Sequence, residues 1–537
     1  MLPEPLRGYS SYREWLEAEE EFKGRVVFAR LLPKAPPRPA PYEGAFAGVL
    51  RALGLTPYLH QQRALKRVEA GANVVLAYPT AAGKSLVYQA PVLQAALEGA
   101  TSLLLFPTKA LAHDQLRRLR AMAQVLGVEG VFPYDGDTPS ATRRQARERG
   151  LVLLSNPDML HYGLLPRHPD WAPFLARLRY VVLDELHAYR GVFGTHVALI
   201  LRRLLRLARH YGASPQVLAA SATIANAREH AEALTGLPFE ELKAQVARTE
   251  RELLVLLPKP LDRRGERRRS PLLEAAYLAR RLAEAGLKGL VFAGARKSAE
   301  LIARYAAHPL VRPYRAGYTA RERRRLEADL KEGRVRVLVS TSALELGVDI
   351  GELDAVVLVG YPGSTAAFWQ RAGRAGRGER RALLVYIPRE DPMDEYFLHR
   401  PALLLESPPE EAVADPQNPV LCPLHLHAAA REKPLLAEEL LCPEARATLK
   451  ERNGRFFTPK RNPHREITLR GLGATFTLRG PDGEVLGYLD ERQAYWEAHP
   501  GAIYLHQGES YLVRNVDLAR REVWLLPALE DYYTAPR

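Results

Sequence analysis

The sequence predicts an α/β protein with two tandem domains, each built on a parallel sheet, followed by a helical, winged-helix-like module and a small β module. Three observations support this prediction. Apolar runs alternate with amphipathic helical segments over residues 56–258 and again over 272–400. Most of these runs are continuous Val/Leu stretches, which is typical of a parallel sheet covered on both faces. A charged, glycine-containing break at 259–271 separates the two stretches.

The elements follow one another in a simple order. Residues 1–55 predict a helical segment and a proline-rich connector, "LLPKAPPRPAPY". Strands of the first domain are predicted at "NVVLAYP", "TSLLLFP", "GLVLLSNP", "RYVVLDE" and "QVLAASAT". Those of the second are predicted at "KGLVFAG", "RVRVLVST", "DAVVLVG" and "RALLVYIP", separated by helices such as "ARERRRLEADLKEG". Strand–helix alternation of this kind predicts doubly wound domains.

The break and the C-terminal quarter carry different signals. "KPLDRRGERRRSP", residues 259–271, is interpreted as a linker, with a basic DNA-binding patch as the alternative. Helical pieces and prolines fill 401–470, and short strands with turn signals such as "PDGE" and "HQGES" fill 471–537. "RFFTPKRNPHR", residues 455–465, predicts either a DNA contact or an exposed turn with two buried phenylalanines.

Composition restricts the class of protein. The chain has 537 residues, 76 Lys and Arg against 62 Asp and Glu, and a formal charge of +14. This surplus fits a polyanionic partner, because each neutralised phosphate releases counterions, but it fits a solvated basic surface equally well. Two cysteines rule out a disulfide framework and a four-cysteine zinc site. No apolar run reaches the roughly 18 residues of a membrane helix, and the N-terminus lacks signal-peptide features, which favours the cytoplasm.

The segment "AYPTAAGKSLVYQAP", residues 77–91, follows an apolar strand and predicts a phosphate-binding loop. A loop between a strand and a helix N-terminus presents backbone N–H groups and partial positive charge to an anion. Lys84 is expected to reach the β- and γ-phosphates of a nucleotide, Ser85 to bind Mg²⁺, and Gly83 to let the backbone approach the phosphates. Tyr78 stands where the full pattern has its first glycine, so a chance tripeptide at a helix N-terminus is the alternative.

A second motif supports the first. "YVVLDELH" ends an apolar strand with Asp184 and Glu185. An acid at the carboxyl end of a strand can hold the Mg²⁺ that bridges the phosphates, and the adjacent acid can orient and deprotonate the attacking water. The alternative is a solvated acidic turn, but the pair lies in the same predicted domain and at the same sheet edge as the loop.

The third motif, "QRAGRAGRG", lies in the other predicted domain. Arg371, Arg374 and Arg377 are spaced three apart, which predicts that they share one helix face. Arginines presented to a γ-phosphate stabilise the charge of the transition state. A basic surface helix is the alternative, which the interleaved glycines disfavour. Phe368 and Trp369, just before the arginines, are candidates either for stacking on bases or for the core.

The order of these motifs resembles that of the superfamily 2 helicases, and further segments fit the same order over residues 58–378. "YLHQQ" resembles the Q motif, "FPTKALAHDQL" motif Ia, "YDGDT" and "SNPDML" the next DNA-contacting elements, and "SAT" motif III. "VFAGARKSAE" resembles motif IV and "STSALELGVDIG" motif V. The resemblance implies two RecA-like P-loop NTPase domains, ATP and Mg²⁺ as cofactors, and a motif I that often lacks the first glycine.

The resemblance also implies a role for each matched residue. Gln61 is expected to bind adenine, and Gln370 to position the attacking water. The expected nucleotide-binding residues are Tyr58, Gln61, Thr80, Ala81, Ala82, Gly83, Lys84, Ser85 and Asp349. The expected catalytic residues are Lys84, Asp184, Glu185, Gln370, Arg374 and Arg377, with Ser85 and Asp184 holding Mg²⁺. The expected DNA-binding or coupling residues are Thr108, Lys109, Asn156, Ser221, Thr223, Arg296, Ser340 and Thr341.

A narrower resemblance covers nearly the whole chain. "TAAGKSLVYQAPVL", "FPTKALAHDQL" and above all "HPGAIYLHQGESYLV" followed by "DYYT" are similar to the mitomycin repair factor A helicases and their fungal relatives. This implies ATP-driven 3′-to-5′ movement on single-stranded or forked DNA, a role in DNA repair, and a nucleoid-associated place in the cytoplasm. That family carries a further C-terminal module with four zinc-binding cysteines. This sequence ends at "DYYTAPR", about where that module would begin, so no zinc is expected.

Cys422, His425, His427 and Cys442 form a C-x-x-H-x-H…C pattern for which a zinc site is conceivable. "CPLHLHAAAREKPL" favours an amphipathic helix instead, with these side chains in the core or at the surface.

Three functions fit the motifs. The first is an ATP-hydrolysing DNA helicase, and the second is an RNA helicase or a translocase that does not unwind. The third is a nucleic-acid-binding scaffold whose ATPase has decayed, against which the intact Lys84, Asp184, Glu185, Arg374 and Arg377 argue. The shared motifs do not separate DNA from RNA, the narrower resemblance favours DNA, and the sequence identifies no protein partner.

Overall fold

The computed structural model describes residues 2–79, 81–247, 249–262, 264, 267–345, 350–376, 378–469, 475–506, 509–528 and 534, except the side chains of Thr475, Asp490 and Arg492. Its helices are α1 (Tyr12–Glu17), α2 (Ala47–Ala52), α3 (Leu59–Glu69), α4 (Lys84–Leu97), α5 (Lys109–Val125), α6 (Ser140–Arg149), α7 (Pro157–Met159), α8 (Ala172–Ala176), α9 (Gly191–His210), α10 (Ala227–Thr235), α11 (Pro271–Glu284), α12 (Arg296–Ala306), α13 (Ala320–Glu332), α14 (Thr365–Ala372), α15 (Pro392–His399), α16 (Leu403–Glu406), α17 (Leu421–Glu432), α18 (Pro443–Thr448) and α19 (Glu491–Glu497).

Its strands are β1 (Val26–Leu32), β2 (Val74–Ala77), β3 (Thr101–Leu105), β4 (Val131–Tyr134), β5 (Val152–Ser155), β6 (Leu178–Leu183), β7 (Gln216–Ser221), β8 (Glu240–Lys243), β9 (Arg251–Leu256), β10 (Gly289–Phe292), β11 (Val311–Tyr314), β12 (Val337–Ser340), β13 (Ala355–Val359), β14 (Ala382–Ile387), β15 (Leu435–Leu436), β16 (Lys450–Arg452), β17 (Arg455–Phe457), β18 (Thr475–Arg479), β19 (Val485–Asp490), β20 (Ile503–His506), β21 (Glu509–Asp517) and β22 (Glu522–Pro527). Within the described residues, no helix is both long and apolar enough to cross a bilayer.

The chain divides into two compact units, each assembled from separate segments. One unit, here called the P-loop unit, consists of Pro37–Val246 and Pro409–Gly471. The other, the arginine unit, consists of Met1–Pro36, Ala247–Pro408 and Leu472–Arg537. The sequence analysis instead expected each domain to be one continuous stretch of the chain. In the structure, the segments at both ends of the chain belong to units whose other parts are not adjacent to them in sequence.

The P-loop unit is built on a seven-stranded sheet of order β4-β5-β3-β6-β7-β2-β8. All its neighbouring strands are parallel. The five strands predicted for the first domain are present. The two edge strands, β4 and β8, were not predicted, because β4 contains Pro133 and β8 reads "EELK". Proline and charge are typical of edge strands, where a full ladder of hydrogen bonds is not needed.

The arginine unit contains the second seven-stranded sheet, of order β1-β9-β14-β13-β10-β12-β11. Its strands are parallel except for β1, which pairs with β9 in the antiparallel sense. The four predicted strands are present, and the prediction of two parallel α/β sheets is confirmed. The sequence analysis ended the first domain at residue 258. In the structure, β9 lies before that residue and already belongs to the sheet of the arginine unit.

The N-terminal segment belongs to the arginine unit rather than standing apart. Tyr12, Trp15 and Leu16 of α1 are buried, and the Glu252 carboxylate of β9 accepts the backbone N–H groups of Tyr12 and Arg13 at 3.0 Å. The strand β1 then extends the sheet. Helical periodicity in the sequence does not report this pairing, because the partner strand lies more than two hundred residues further along the chain.

A buried ion cluster ties the N-terminal segment to the predicted linker. Glu274 of α11 is 0% exposed, and its two oxygens receive Arg25 and Arg269 at 2.7–2.8 Å. Burial raises the pKa of Glu274, but the hydrogen bonds from the two arginines outweigh it and hold the pKa below its usual value. Arg269 belongs to the basic stretch 259–271, so this part of the stretch is committed to an internal contact.

The C-terminal part of the P-loop unit packs α17 on α9 and adds a three-stranded antiparallel sheet, β15-β17-β16. Arg203 of α9 pairs with the fully buried Glu432 at the end of α17, and its Nη1 donates to His161 at 3.0 Å and His425 at 3.2 Å. Burial and the Arg203 charge lower the pKa of His161 to about 3, so this ring is neutral and accepts. His464 Nε2 completes the cluster, 2.9 Å from Glu432.

The two cysteines of this part form a disulfide bond, Cys422–Cys442, within a buried apolar cluster. This corrects the sequence analysis, which treated the two residues as too few for a framework and weighed them as core residues or zinc ligands. The histidines of the same pattern have other partners, since His425 accepts from Arg203 and His427 lies 2.8 Å from the Thr458 hydroxyl. The predicted helix is present as α17.

The small β module is a five-stranded sheet of order β19-β18-β22-β21-β20, and it belongs to the arginine unit. Arg315, 2% exposed after β11, donates through Nη2 to the Leu505 carbonyl at 3.2 Å and to His506 Nδ1 at 2.9 Å. Its Nε lies 3.2 Å from the Glu300 carboxylate of α12. One buried guanidinium therefore attaches the β module to the helix that follows β10.

In the segment 455–465, the two phenylalanines differ. Phe456 is buried in the disulfide cluster, whereas Phe457 is 37% exposed. The expectation of two buried phenylalanines is thus wrong for Phe457, and the proposed DNA contact stays a prediction.

We expect Glu274→Gln to destabilise the protein by about 3–5 kcal/mol, because it leaves buried arginines without a charged partner. The folded-state pKa of Glu274 is lowered, so its stabilising contribution is present above about pH 4.5 and is lost as pH falls through the lower folded-state value. Urea unfolding as a function of pH measures both effects. Glu406→Gln, at an exposed pair with Arg30, is the matched control and should cost under about 1 kcal/mol; equal losses in both variants would contradict the assignment.

Candidate active site

The loop after β2 has the geometry of an anion-binding loop. Ala81 and Gly83 both have left-handed backbone conformations, with φ values of 64° and 79°, and α4 begins at Lys84. Such residues turn successive N–H groups toward one point, and the helix N-terminus adds partial positive charge. Lys84 Nζ donates to the Tyr78 carbonyl at 3.2 Å, across the loop. Thr80 lies outside the described residues.

Tyr78, in the place of the usual glycine, does not obstruct the loop. Its side chain is 1% exposed, its hydroxyl donates to the His60 carbonyl at 2.9 Å, and its ring packs edge-on against the His60 ring. The tyrosine therefore anchors the loop to the preceding helix and leaves Gly83 and Lys84 to form the anion-binding turn.

Gln61 holds the loop in place. Its Oε1 accepts from the Tyr58 backbone N–H at 2.7 Å and its Nε2 donates to the Gly83 carbonyl at 2.8 Å. A Cβ at position 83 would lie 2.4 Å from Gln61 Nε2, so this contact also requires glycine. Next to it, His60 Nε2 lies 2.7 Å from the Ala82 carbonyl. Gln61 is 3% exposed and engaged with protein at both polar atoms, and its binding of adenine stays a prediction.

The acidic motif follows β6. Asp184 is 5% exposed and accepts from the Glu185 backbone N–H at 2.9 Å and from the Tyr88 hydroxyl at 3.0 Å. Burial and the Glu185 charge raise the pKa of Asp184 to about 7, although Lys84 and the Tyr88 hydrogen bond oppose the rise. Glu185 has a left-handed φ of 51°, which is uncommon for a residue with a side chain and is typical of functional turns.

Sequence reasoning missed Tyr88. It lies four residues after Lys84 on α4, so the two side chains share one face of the helix. This spacing is the signal that could have identified it, because any partner of the acidic motif on α4 must lie on the face of Lys84.

His187 connects the acidic motif to "SAT", which follows β7. Its Nδ1 accepts from the Ala222 backbone N–H at 3.1 Å and lies 3.4 Å from the Ser221 hydroxyl, while its Nε2 is 3.7 Å from Glu185. Burial lowers the pKa of His187 to about 4, so the ring is neutral. Since Nδ1 accepts from a backbone N–H, the proton is on Nε2, toward Glu185. Thr223 is exposed.

The sheet brings these loops together. The strands β6, β7 and β2 are parallel neighbours, so their carboxyl ends place the acidic motif, "SAT" and the phosphate-binding loop side by side.

The donor set fits a nucleotide with a divalent cation. Glu185 and the buried Asp184 carry like charges that repel each other. A hard cation, which prefers oxygen ligands, would relieve this repulsion. Ser85 supplies a hydroxyl on the first turn of α4, directly after Lys84. The arrangement can hold a polyphosphate and orient a water for attack on it.

The arginine motif differs from its prediction. The helix α14 ends at Ala372, and Arg374 lies beyond it in a turn, so Arg371 and Arg374 do not share one helix face. A glycine fits this helix end, since Gly373 follows Ala372 directly as the C-cap and glycine is a poor helix former. Arg377 lies outside the described residues.

Both described arginines contact one residue of motif V. Arg371 Nε lies 2.8 Å from the Glu345 carboxylate, and Arg374 Nε donates to the Glu345 carbonyl at 3.2 Å. Arg374 is 2% exposed and Gln370 is 6% exposed. Motifs V and VI of the arginine unit are thus linked directly, while Asp349 lies outside the described residues.

The aromatic candidates beside this motif have a packing role. Phe368 is fully buried, which decides for the core, and Trp369 packs edge-on against it with ring centroids 5.5 Å apart.

The expected DNA-binding residues occupy strand ends and helix starts. Thr108 and Asn156 are N-caps, whose side chains accept from Leu111 N–H and Met159 N–H. The side chain of Lys109 is half-exposed, 2.9 Å from Asp137. Contact of these residues with DNA stays a prediction.

In the arginine unit, Arg296 begins α12 and donates to Gln493 of the β module. Ser340 is buried at the end of β12, and Thr341 follows it, half-buried. Their role in DNA binding or coupling likewise stays a prediction.

Two family models match the chain: "DEAD/DEAH box helicase" over residues 58–231 and "Helicase conserved C-terminal domain" over 273–379. The chain belongs to the DEAD/DEAH box helicases, and its fold is a pair of RecA-like domains followed by a β-rich module. It is an ATP-dependent helicase of superfamily 2.

The relatives are more specific. The uncharacterized ATP-dependent helicase YprA of Bacillus subtilis is 36% identical over 559 residues, which cover 98% of this chain and 73% of the relative. The ATP-dependent helicase hrq1 of Schizosaccharomyces pombe is 32% identical, with 86% of this chain and 47% of the relative covered. The crystal structure of the DUF1998 helicase MrfA bound to DNA superposes with a TM-score of 0.89 at 34% identity, covering 98% of this chain and 75% of that one. The chain thus spans about three quarters of one curated relative and about half of the other.

We expect Tyr88→Phe to move the acidic limb of the ATPase pH profile to higher pH. The hydroxyl stabilises ionised Asp184, so its loss raises the pKa of that carboxyl further. Turnover near pH 6.5 should fall roughly threefold or more, while turnover near pH 9 stays close to wild type. Tyr42→Phe removes a similar hydroxyl from the Glu69 carboxylate and should leave the profile unchanged. A profile unaltered by Tyr88→Phe would show that Tyr88 does not tune the acid.

Proposed function

We propose that the protein is an ATP-driven DNA helicase or translocase that moves 3′ to 5′ on single-stranded or forked DNA and acts in DNA repair. The observation that carries the ATPase part is the buried Asp184 beside Glu185 and Lys84, at the carboxyl end of the sheet. The DNA part is supported by the similarity, over 98% of the chain, to a helicase crystallised with DNA.

In this proposal the P-loop unit holds the nucleotide. Lys84 binds the β- and γ-phosphates, and the backbone of the loop, including Ala81 and Gly83, surrounds them. Ser85 and Asp184 would hold Mg²⁺, which would neutralise charge on the phosphates. No zinc is assigned to the described chain.

Glu185 takes the proton of the attacking water, and Gln370 positions that water. The left-handed turn at Glu185 orients the carboxylate for this task, and the Nε2 proton of His187 lies on the side of the ring that faces it, with Nε2 3.7 Å from the carboxylate. Arg374 and Arg377 bind the γ-phosphate and stabilise the charge that develops on it. The ATP-binding helicase domain is assigned to the P-loop unit and the second helicase domain to the arginine unit.

Residues next to the catalytic carboxylate link ATP hydrolysis to DNA binding. His187 contacts the Ser221 hydroxyl and the Ala222 backbone, so a shift of Glu185 during hydrolysis is transmitted to "SAT", in which Ser221 and Thr223 are the assigned coupling residues. The backbone-binding residues are assigned as Thr108, Lys109, Asn156, Arg296, Ser340 and Thr341. Contacts to phosphates carry no sequence information, so the motor acts on any strand. With DNA as its substrate, the protein is placed at the nucleoid.

We expect purified protein to hydrolyse ATP slowly alone and at least about tenfold faster with single-stranded DNA, since DNA completes the coupled state. Strand separation on forked duplexes with either a 3′ or a 5′ overhang tests direction, and only the 3′ overhang should support unwinding. Equal stimulation by RNA would favour the RNA helicase reading, and ATP hydrolysis without unwinding would favour a translocase.

Lys84→Ala and Glu185→Gln should each lower ATP turnover by at least about a hundredfold, because one removes the phosphate-binding ammonium and the other the base. Glu185→Gln should still bind ATP, which fluorescent nucleotide titration measures. Lys66→Ala, on an exposed face of α3, is the control and should retain full turnover. Normal turnover in Glu185→Gln would refute the role of this carboxylate.

A further inference from the structure

A cavity of about 700 Å³ lies in the P-loop unit between α9, the end of α10 and the segment after α17. Its walls differ in character. Leu199, Leu426 and Leu441 form an apolar side, and Arg202 and Arg209 of α9 belong to a basic side. No residue of the phosphate-binding loop, the acidic motif or "SAT" lines it, so it is separate from the candidate active site.

Two of the arginines in its wall have compensated charges. Arg203 pairs with Glu432, and Arg206 pairs with Glu439 through a 2.7 Å contact. These pairs belong to the attachment of α17 to α9. The two pairs do not account for the other cations of the wall, which are Arg202, Arg209 and Lys433.

The remaining cations have unused donors. Within the described part of the chain, no carboxylate lies within 4.0 Å of Arg202, Arg209 or Lys433. Arg202 Nη1 donates at 2.8 Å to Ala233 and Leu234 at the end of α10, and no hydrogen bond from its Nε or Nη2 to a described residue is found. These two carbonyls thus both bind the same nitrogen, one of the three in the Arg202 guanidinium.

The other two cations extend the basic side. Among the described residues, Arg209 is bonded through Nε alone, donating to the Leu205 carbonyl at 3.3 Å, which leaves both its Nη groups available to a ligand. Lys433 Nζ lies 3.0 Å from His210 Nδ1. After burial, the charge of Lys433 is the strongest influence lowering the pKa of His210, which agrees with an excess of positive potential at this wall.

We propose that this cavity binds a nucleoside phosphate, with the phosphate on Arg202, Arg209 and Lys433 and the nucleoside against the leucines. Guanidinium groups match phosphate oxygens in geometry as well as charge. The volume lies within the range of about 300–1,000 Å³ that is typical of small-ligand sites. The occupant is either a free nucleotide or the phosphorylated terminal nucleotide of a DNA strand, which share this chemistry.

The test measures binding to the full chain with the phosphate-binding loop saturated by a non-hydrolysable ATP analogue and Mg²⁺. Thymidine 5′-monophosphate is the probe for a free nucleotide, and thymidine is its uncharged control. A 5′-phosphorylated oligothymidylate, compared with its 5′-hydroxyl form, is the probe for a strand end. Wild type is compared with Arg209→Glu/Lys433→Glu. Arg51→Glu/Lys66→Glu, at exposed positions of the same unit, makes the same change in charge away from the cavity.

We expect thymidine 5′-monophosphate to bind wild type and Arg51→Glu/Lys66→Glu alike, and Arg209→Glu/Lys433→Glu at least about tenfold more weakly. If only the oligonucleotide shows a preference for its 5′-phosphate, and Arg209→Glu/Lys433→Glu abolishes that preference, the occupant is a strand end. If neither probe distinguishes wild type from Arg209→Glu/Lys433→Glu, the proposal is overturned. Arg209→Ala/Lys433→Ala gives the same readout should the charge reversals unfold the protein. None of these measurements needs ATP hydrolysis, so failure here is distinguishable from failure of the proposed function.

Discussion

The site depends on keeping a charged carboxylate inside the protein. Asp184 is buried beside a second acid, an arrangement that by itself favours a neutral carboxyl. The surrounding residues oppose this tendency: Lys84 supplies positive charge, and Tyr88 and the Glu185 N–H supply hydrogen bonds. The phosphate-binding loop, the helix α4 and the acidic turn must therefore hold one another in register. A site with these groups fits a polyphosphate with its cation.

The two modules beyond the α/β sheets are attached by the same physical means. In the P-loop unit, Arg203 and Glu432 form a buried pair, and Arg203 also donates to the neutral rings of His161 and His425. In the arginine unit, Arg315 reaches the His506 ring and the Leu505 carbonyl from beside β11. Buried charged contacts are costly to break on one side, so each module belongs firmly to its own sheet. The helical module and the β module, which are adjacent in sequence, thus belong to different units.

Much of the fold was predictable because continuous Val/Leu runs report parallel strands directly, as "VVLA" and "VLLS" do for β2 and β5. Edge strands such as β4 and β11 carry proline and escape that signal, and β1 depends on a distant partner. Within the site, Lys84, Asp184 and Glu185 were identifiable from their motifs. Three other roles depend on tertiary contacts that the sequence does not show. They are the hydrogen bond of Tyr88 to the acid, the attachment of Gln61 to the phosphate-binding loop, and the contact of His187 with "SAT". The prediction that Arg371 and Arg374 share one helix face was wrong, because it relied on their spacing and disregarded the glycines that follow the helix.

The segmented composition of the units has a consequence for synthesis on the ribosome. The segment that contains α1 and β1 emerges before the P-loop sheet, and its partners β9 and α11 are translated far later. Until then, Trp15, Phe22 and Val26 have no core to enter. A nascent chain therefore carries this apolar segment until the P-loop sheet has been translated, and we expect the segment to bind a chaperone during that time. A gene fragment divided at any single codon between the two motif sets would separate strands that need each other, so the halves are expected to be recovered only when produced together.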